Sequence, residues 1–311
     1  MRIALLGATS HIAKDVIQLF AAEGVHELTL FARRTEAVSD WLSKCGIKNC
    51  YPVCDFDSFT KHQHFDALIN FVGVGNPAQT TTMGASIFDI TQKYDQMALG
   101  YVESHPECRY IFFSSGAVYG DNFDEPVSEY SKALLPLNQI GAQHWYAVAK
   151  LHAECRHRAH FDKAITDIRV FNYFSHSVDL SARFLITDLL RSMQAREIFR
   201  TSSANITRDY AGPREIFQLV NRILSVSAVN CSVDCYTNAP VDKLKMLEAM
   251  SSAFGLRYEL VQQATGVTAT GNKTHYYSLN RRASAVFGYQ PQQTALQVLL
   301  LEVSIILGRD C

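Results

Sequence analysis

The chain lacks a charge excess of either sign: 29 Lys and Arg stand against 30 Asp and Glu in 311 residues. A formal net charge of −1 provides no basic field for a nucleic-acid backbone and none of the acidic character of a disordered chain, so no nucleic-acid partner is expected. A run able to cross a bilayer is also missing. The apolar stretch 296–307 near the C-terminus is too short and carries Glu302; it reads as a buried helix, and no membrane partner is expected. The early apolar stretch 1–6 stops at a glycine turn without the small-residue tail of a cleaved leader. Metal-ligand spacing is absent as well. The close cysteine pairs, Cys50 with Cys54 and Cys231 with Cys235, have no His partners at zinc-site distances, so no metal is expected. Without a secretory context the thiols read as small buried hydrophobes in a reducing compartment, which makes the location cytoplasmic. Apolar residues are abundant, at 48%, enough for a large buried core.

Their distribution sets the fold class. Short apolar runs at 2–6, 27–31, 51–54, 67–72, 110–113 and 168–171 alternate with amphipathic stretches. The fourth run closes at Gly73-Val74-Gly75. Residues 86–104 place Ile87, Ile90, Tyr94, Met97 and Tyr101 at helical spacing, and 146–157 reads as a further helix. The alternation predicts an α/β fold, a doubly wound parallel sheet of the Rossmann type, over residues 1–172. From 173 to 311 the order loosens. Helices are expected at 180–195, 213–224, 241–254 and 293–307, and short strands near 232–236 and 258–261. This part reads as a smaller C-terminal, substrate-binding lobe lying beyond the carboxyl ends of the strands, some segments of which return to the first domain.

Several segments carry chemistry. The turn Gly7-Ala8-Thr9-Ser10-His11-Ile12-Ala13 delivers the chain into a helix N-terminus, whose unpaired N–H groups and positive dipole end suit a pyrophosphate. Gly7 is kept, whereas Ser10 and Ala13 stand at spacings where dinucleotide turns carry glycine. Gly7, Thr9, Ser10, His11 and Ile12 are the candidate pyrophosphate residues, His11 as an added donor. After the second strand, where an NAD site wants an acid, the chain has Arg33 and Arg34. Two guanidiniums favour a 2′-phosphate, hence NADP over NAD, unless both are solvated surface residues. Asp55, after the third strand, is a candidate acceptor for an adenine amino group and reads equally as a turn aspartate. In Tyr146-Ala147-Val148-Ala149-Lys150, downstream of Ser115, phenol and ammonium share one helix face. A cation beside it stabilises phenolate and makes Tyr146 a workable acid and base near neutrality, while Ser115 orients the same substrate oxygen.

These segments, together with Phe112-Phe113-Ser114-Ser115-Gly116-Ala117-Val118-Tyr119-Gly120, Glu125-Pro126-Val127-Ser128-Glu129, Pro136-Leu137-Asn138, Glu154, Ile168-Arg169-Val170-Phe171-Asn172, Arg208-Asp209-Tyr210 and Phe287-Gly288-Tyr289-Gln290-Pro291, resemble the extended short-chain dehydrogenase/reductase family. The resemblance is to its NAD-dependent epimerase/dehydratase branch, which modifies nucleotide sugars. It implies that Ser115, Tyr146 and Lys150 form a catalytic triad, with Lys150 also holding the nicotinamide ribose. It implies further that Asn172 contacts the sugar nucleotide and Arg208 its diphosphate; read alone, the first is a turn residue and the second a surface ion pair. A homodimer through the helices 86–104 and 146–157 is an arrangement the family uses, although their apolar residues read equally as core.

The chain departs from the pattern in three places: Ser10 and Ala13 in the phosphate turn, Tyr173-Phe174-Ser175-His176 in a loop that elsewhere carries Pro or Gly, and Gly116-Ala117 where 4,6-dehydratases of the branch carry Asp-Glu. Neither Gly nor Ala can titrate, which rejects 4,6-dehydration. What remains is hydride transfer at a sugar carbon: an NAD(P)-dependent nucleotide-sugar epimerase or 4-ketoreductase with Tyr146 as acid and base. The alternative is a non-catalytic dinucleotide-binding sensor or scaffold on the same fold.

Overall fold

A strand buried on both faces must be apolar along its whole length, and Ile3-Ala4-Leu5-Leu6 is fully buried at every position. That stretch lies in β1 (Arg2–Leu6) of a computed structural model that describes residues 1–47, 51–59, 64–73, 82–262 and 273–308. Val74, Gly75 and Cys50 lie outside the described residues. Beside β1 run β2 (Glu27–Phe31), β3 (Val53–Cys54), β4 (Ala67–Asn70), β5 (Arg109–Ser115) and β6 (Ile165–Val170). With β11 (Cys231–Asp234) they form one sheet in the order β11-β6-β5-β4-β1-β2-β3, parallel throughout.

Alternate residues of β1 feed opposite layers, as the period of two requires. Ile3 and Leu5 pack with α1 (His11–Glu23) and α2 (Thr35–Lys44), whereas Ala4 and Leu6 pack on the face covered by α3 (Ser86–Ser104) and α4 (Ala142–Ala159). The sheet is therefore doubly wound. The order of strands reverses between β1 and β4, which opens a crevice at their carboxyl ends. Helix α1 stops at Gly24, whose φ of 65° lets its amide return to the Phe20 carbonyl at 2.9 Å.

The remaining chain builds a second core. β7 (Asn172–Tyr173) pairs with β10 (Tyr210–Ala211), β8 (Phe199–Ser202) with β13 (Tyr258–Val261), and β9 (Thr207–Arg208) with both β12 (Val241–Asp242) and β14 (His275–Tyr276). Helices α5 (Leu185–Gln194), α7 (Lys243–Phe254) and α9 (Ala295–Leu307) bury Leu189, Leu190, Met246, Leu247, Met250, Leu299 and Val303 against one another. Helices α6 (Pro213–Ser225) and α8 (Arg282–Phe287) instead join the layer of α1 and α2, as β11 joins the sheet. A single cut at residue 172 thus does not separate the two cores.

Several boundaries differ from the expected ones for local reasons. β4 ends at Asn70 because its side-chain oxygen accepts the Val72 amide at 2.9 Å and turns the chain. α5 starts at Leu185 rather than 180, because Asp179 caps a turn by accepting the Ser181 amide at 2.9 Å. α7 starts after Asp242, whose carboxylate accepts the Lys245 amide at 3.0 Å as an N-cap. Among the described residues no helix is long and apolar enough to cross a membrane, and no cluster of His, Cys, Asp or Glu could hold a metal ion.

Candidate active site

The turn from β1 into α1 lies at the crevice. Gly7 has φ of 87°, and its amide and that of Ala8 both donate to the Phe31 carbonyl, at 2.9 and 3.1 Å. A Cβ on Gly7 would stand 3.0 Å from the Val72 nitrogen, so the turn needs both glycine's conformational freedom and its missing side chain. Ser10 is extended and its hydroxyl does not cap α1, which leaves the first amides of the helix open to an anion. Thr9, Ser10, His11 and Ile12 are all partly exposed around this opening, while Ala13 is buried. We expect Gly7→Ala to cost about 1–3 kcal/mol from the forced left-handed backbone and to weaken dinucleotide binding. Thermal unfolding with and without dinucleotide checks both effects, and an unchanged midpoint would refute the strain argument.

His11 reaches the loop after β7. Its Nε2 lies 2.7 Å from Ser175 Oγ and 3.5 Å from the Asp15 carboxylate. Asp15, itself buried, accepts the hydroxyls of Tyr173, Ser175 and Ser177 at 2.6, 2.6 and 2.7 Å. His176 binds Glu302 of α9 through its amide and Nδ1 at 2.7 and 2.8 Å. The loop without Pro or Gly is therefore stapled by side chains to α1 and α9. Burial outweighs Asp15 and lowers the His11 pKa, which favours the neutral imidazole.

Arg33 and Arg34 follow β2 and are exposed, at the edge of the crevice where β1 and β2 are neighbours. Asp55 is exposed beyond β3, and its Oδ1 accepts the Ser58 amide at 2.8 Å. That bond, with the Ser58 hydroxyl donating to the Asp55 carbonyl at 2.7 Å, fits a turn aspartate.

On the other side of the crevice, β5 ends at Ser115, whose hydroxyl accepts the Ala117 amide at 3.2 Å. Two phenols meet that hydroxyl, Tyr146 from the start of α4 and Tyr276 from β14; burial pushes both phenol pKa values up, and the Ser115 hydrogen bond offsets part of it. Lys150, one turn after Tyr146, is buried, with its ammonium 2.7 Å from the Phe113 carbonyl and 4.2 Å from the Phe112 ring centroid. It also lies where a Cβ on Gly73 would come within 3.1 Å. Burial pushes Lys150 down to about 8, against the pull of Asp95, Glu154 and Asp167. The Lys150 ammonium thus meets the Phe113 carbonyl within β5, one helical turn from Tyr146, and burial favours the protonated phenol.

The two candidate substrate residues stand in the second core. Asn172 donates to the backbone carbonyls of Asp209 at 3.0 Å and Tyr276 at 3.5 Å, tying β7 to β14 and to the link between β9 and β10. Arg208 is buried rather than on the surface. It donates to the Thr207 and Thr274 carbonyls at 2.9 and 3.4 Å, and its guanidinium lies 5.9 Å from the Tyr276 ring. Tyr276 itself escaped sequence reasoning: nothing local marks it, and only the pairing of β14 with β9 brings it to Ser115. At position 116 the expected absence of an acid has a steric cause, since a Cβ there would fall 2.5 Å from the Phe171 ring.

This fold is shared with known proteins. The solved structures it resembles include UDP-glucuronic acid 4-epimerase from Bacillus cereus in complex with UDP-glucuronic acid and NAD, at TM-score 0.76 and 14% identity over 99% of each chain. UDP-glucose-4-epimerase from Stenotrophomonas maltophila, with bound NAD, gives 0.78 and 13% over 98% of this chain and 97% of that one. The dTDP-glucose 4,6-dehydratase from Bacillus anthracis in complex with NAD gives 0.77 and 14% over 98% and 96%. At such identities the likeness is one of fold. No curated protein matches the sequence. The model of the NAD dependent epimerase/dehydratase family, however, matches residues 3–228. That match runs from β1 to the approach of β11 and so takes in both sides of the crevice: the chain belongs to the NAD dependent epimerase/dehydratase family of enzymes.

Proposed function

We propose that the protein is a nucleotide-sugar epimerase or 4-ketoreductase in which Tyr146 exchanges a proton with a sugar hydroxyl. The observation that carries this reading is the meeting of the Tyr146 phenol and the Ser115 hydroxyl at the carboxyl end of β5, with the buried Lys150 ammonium one turn away. The open N-terminus of α1 and the bare Gly7 fit a dinucleotide pyrophosphate. A bound nicotinamide supplies the acceptor and donor of hydride. The protein supplies the rest. Ser115 orients the reacting hydroxyl, Tyr146 takes its proton and later returns it, and Lys150 holds the nicotinamide ribose and favours the transient phenolate. Arg208 is the residue for the diphosphate. With Phe171 filling the space beside Gly116 and no titrating group at Ala117, elimination of water lacks its acid–base pair, which speaks against 4,6-dehydration.

A panel of UDP- and dTDP-hexoses, incubated with oxidised or reduced NAD and NADP, tests the reading. Epimer formation without net cofactor consumption marks the epimerase; stoichiometric oxidation of reduced cofactor marks the reductase. Neither product across the panel would refute it. The similar solved structures named above hold NAD, whereas the exposed Arg33 and Arg34 beyond β2 favour a 2′-phosphate in this chain. Hydrogen bonds to charged groups are worth about 1.5–3 kcal/mol. Replacing both arginines by alanine is therefore expected to weaken NADP about tenfold or more and leave NAD nearly unchanged. Titration of both cofactors by calorimetry checks this, and equal weakening would remove the preference.

A further inference from the structure

The cluster around Asp15 plays no part in the proposed reaction, and its hydrogen bonds fix where His11 carries its proton. Tyr173, Ser175 and Ser177 each have one hydroxyl proton, and each donates it to the Asp15 carboxylate, at 2.6, 2.6 and 2.7 Å. Ser175 has no second proton for His11 Nε2, 2.7 Å from its Oγ, and can only accept there. The imidazole is therefore the donor, so Nε2 carries the ring proton and the lone pair of the neutral ring sits on Nδ1. Nε2 also lies 3.5 Å from the Asp15 carboxylate, as a protonated nitrogen would. Among the described residues, neither the hydrogen bond nor the ion pair of His11 involves Nδ1. The side chain is 32% exposed and packs edge-on against Tyr173, with ring centroids 5.1 Å apart. One nitrogen thus anchors the ring to the loop after β7, and the basic nitrogen is left to take a proton.

The charges facing this ring are mixed. From α1 they are Asp15 and Lys14, from the loop after β7 His176 and Asp179, and from α9 Glu302. His176 and Glu302 bind each other at 2.8 Å. Burial outweighs the attraction of Asp15 and Glu302, which favours the neutral ring. His11 is also the first residue of α1, at the opening amides that the Ser10 hydroxyl leaves uncapped. An anion on those amides adds negative charge at the residue that bears the imidazole, and negative charge nearby raises the pKa of a histidine.

We propose that His11 is a positioning residue that couples dinucleotide binding to the loop after β7 by taking up a proton. Without dinucleotide the imidazole stays neutral; with a diphosphate on the first amides of α1, Nδ1 takes a proton from solvent. The imidazolium then holds Ser175 more firmly through Nε2, since charge-assisted hydrogen bonds are roughly twice as strong as neutral ones. The loop so held follows Asn172 directly, so a loaded turn fixes the second core against the crevice. This inference deepens the dinucleotide reading of the turn and rests on it. The empty ring has the lower pKa and the loaded ring the higher, so dinucleotide affinity rises as pH falls between those two values and is level outside them.

Calorimetric titration of the full chain with NAD and with NADP tests the coupling, as wild type and His11→Gln, between about pH 5 and 8 and in two buffers of different ionisation enthalpy. Glutamine keeps an amide donor near the place of Nε2 but does not titrate. Protons taken up by a 2′-phosphate or by another histidine are common to both proteins and cancel in their difference. We expect the wild type to take up a fraction of a proton more per bound dinucleotide than His11→Gln, and its affinity to rise about three- to tenfold more on acidification. The amides of Phe174, His176 and Val178 are each hydrogen-bonded, so their hydrogen exchange reports how firmly the loop is held. At the acid end dinucleotide should slow that exchange more in the wild type than in His11→Gln. Equal proton uptake in the two proteins overturns the coupling, and so does a difference in uptake with no difference in exchange. Binding of neither dinucleotide refutes the dinucleotide reading and the coupling with it, whereas binding without uptake at His11 overturns the coupling alone. Thermal unfolding checks that His11→Gln is folded, and His11→Asn takes its place if it is not.

Discussion

A Tyr146→Phe protein is expected to fold normally and to turn over about 10²–10⁴-fold more slowly, the usual worth of a positioned acid–base group. The substitution removes one oxygen and leaves the ring. Ser115, which loses that partner, keeps the Ala117 amide and the Tyr276 phenol. No buried polar atom is orphaned, and stability should move by no more than about 1 kcal/mol. Substrate binding should also survive, because the diphosphate residue Arg208 lies in the second core. The loss therefore belongs in kcat rather than KM. The Tyr276 phenol supplies an internal control, since it meets the same serine and is also pushed up by burial. Tyr276→Phe should slow turnover far less. If the two variants exchange roles, the acid–base assignment moves to Tyr276; if neither slows the enzyme, a phenol does not carry the proton.

The pair of tyrosines also shows which parts of this molecule were legible in the sequence. Strands β1, β2, β4, β5 and β6 were visible because a parallel sheet covered on both faces demands unbroken apolar runs. Helix α3 was visible because Ile87, Tyr94 and Tyr101 recur at its period and are buried. Ser115, Tyr146 and Lys150 were visible through local spacing, and the fold does bring all three to one end of β5. What spacing could not give was orientation. The i, i+4 relation places Lys150 on the face of Tyr146, but that its ammonium meets the Phe113 carbonyl depends on a strand 37 residues away in the chain. His11 was legible as part of a phosphate turn, yet its ring nitrogen is committed to a serine 164 residues distant. Tyr276 gave no signal at all. It lies in β14, which is two residues long and forms through pairing with β9, so it has no period to read.

The second large expected effect concerns Arg169, and it explains why buried charge gathers beneath this site. Glu154 follows Lys150 by one helical turn. Its carboxylate accepts the Ser114 hydroxyl at 2.6 Å and the Arg169 guanidinium at 2.5 to 3.1 Å. Arg169 passes on to the Tyr119 hydroxyl at 2.7 Å. That hydroxyl lies 3.1 Å from both oxygens of Asp234, which also accepts Ser278 at 2.6 Å. Glu154 and Asp234 are both buried, so Arg169 is the cation they share. Its guanidinium also stacks 4.9 Å from the Tyr119 ring. Arg169→Met would strand two buried carboxylates at once, an uncompensated burial that costs about 3–5 kcal/mol. At about 2–4 °C for each kcal/mol, the unfolding midpoint should fall by roughly 10 °C. Removing Glu154 as well, in Arg169→Met with Glu154→Leu, should restore more than half of the loss, because Asp234 still holds its two hydroxyl partners. A double variant no more stable than Arg169→Met would show that the pair acts through packing rather than charge. The restored stability should not restore activity. Ser114 adjoins Ser115, and Glu154 is one of the carboxylates that favour the charged form of Lys150, so a network replaced by hydrocarbon leaves the Ser114 hydroxyl without its acceptor and the ammonium with less support.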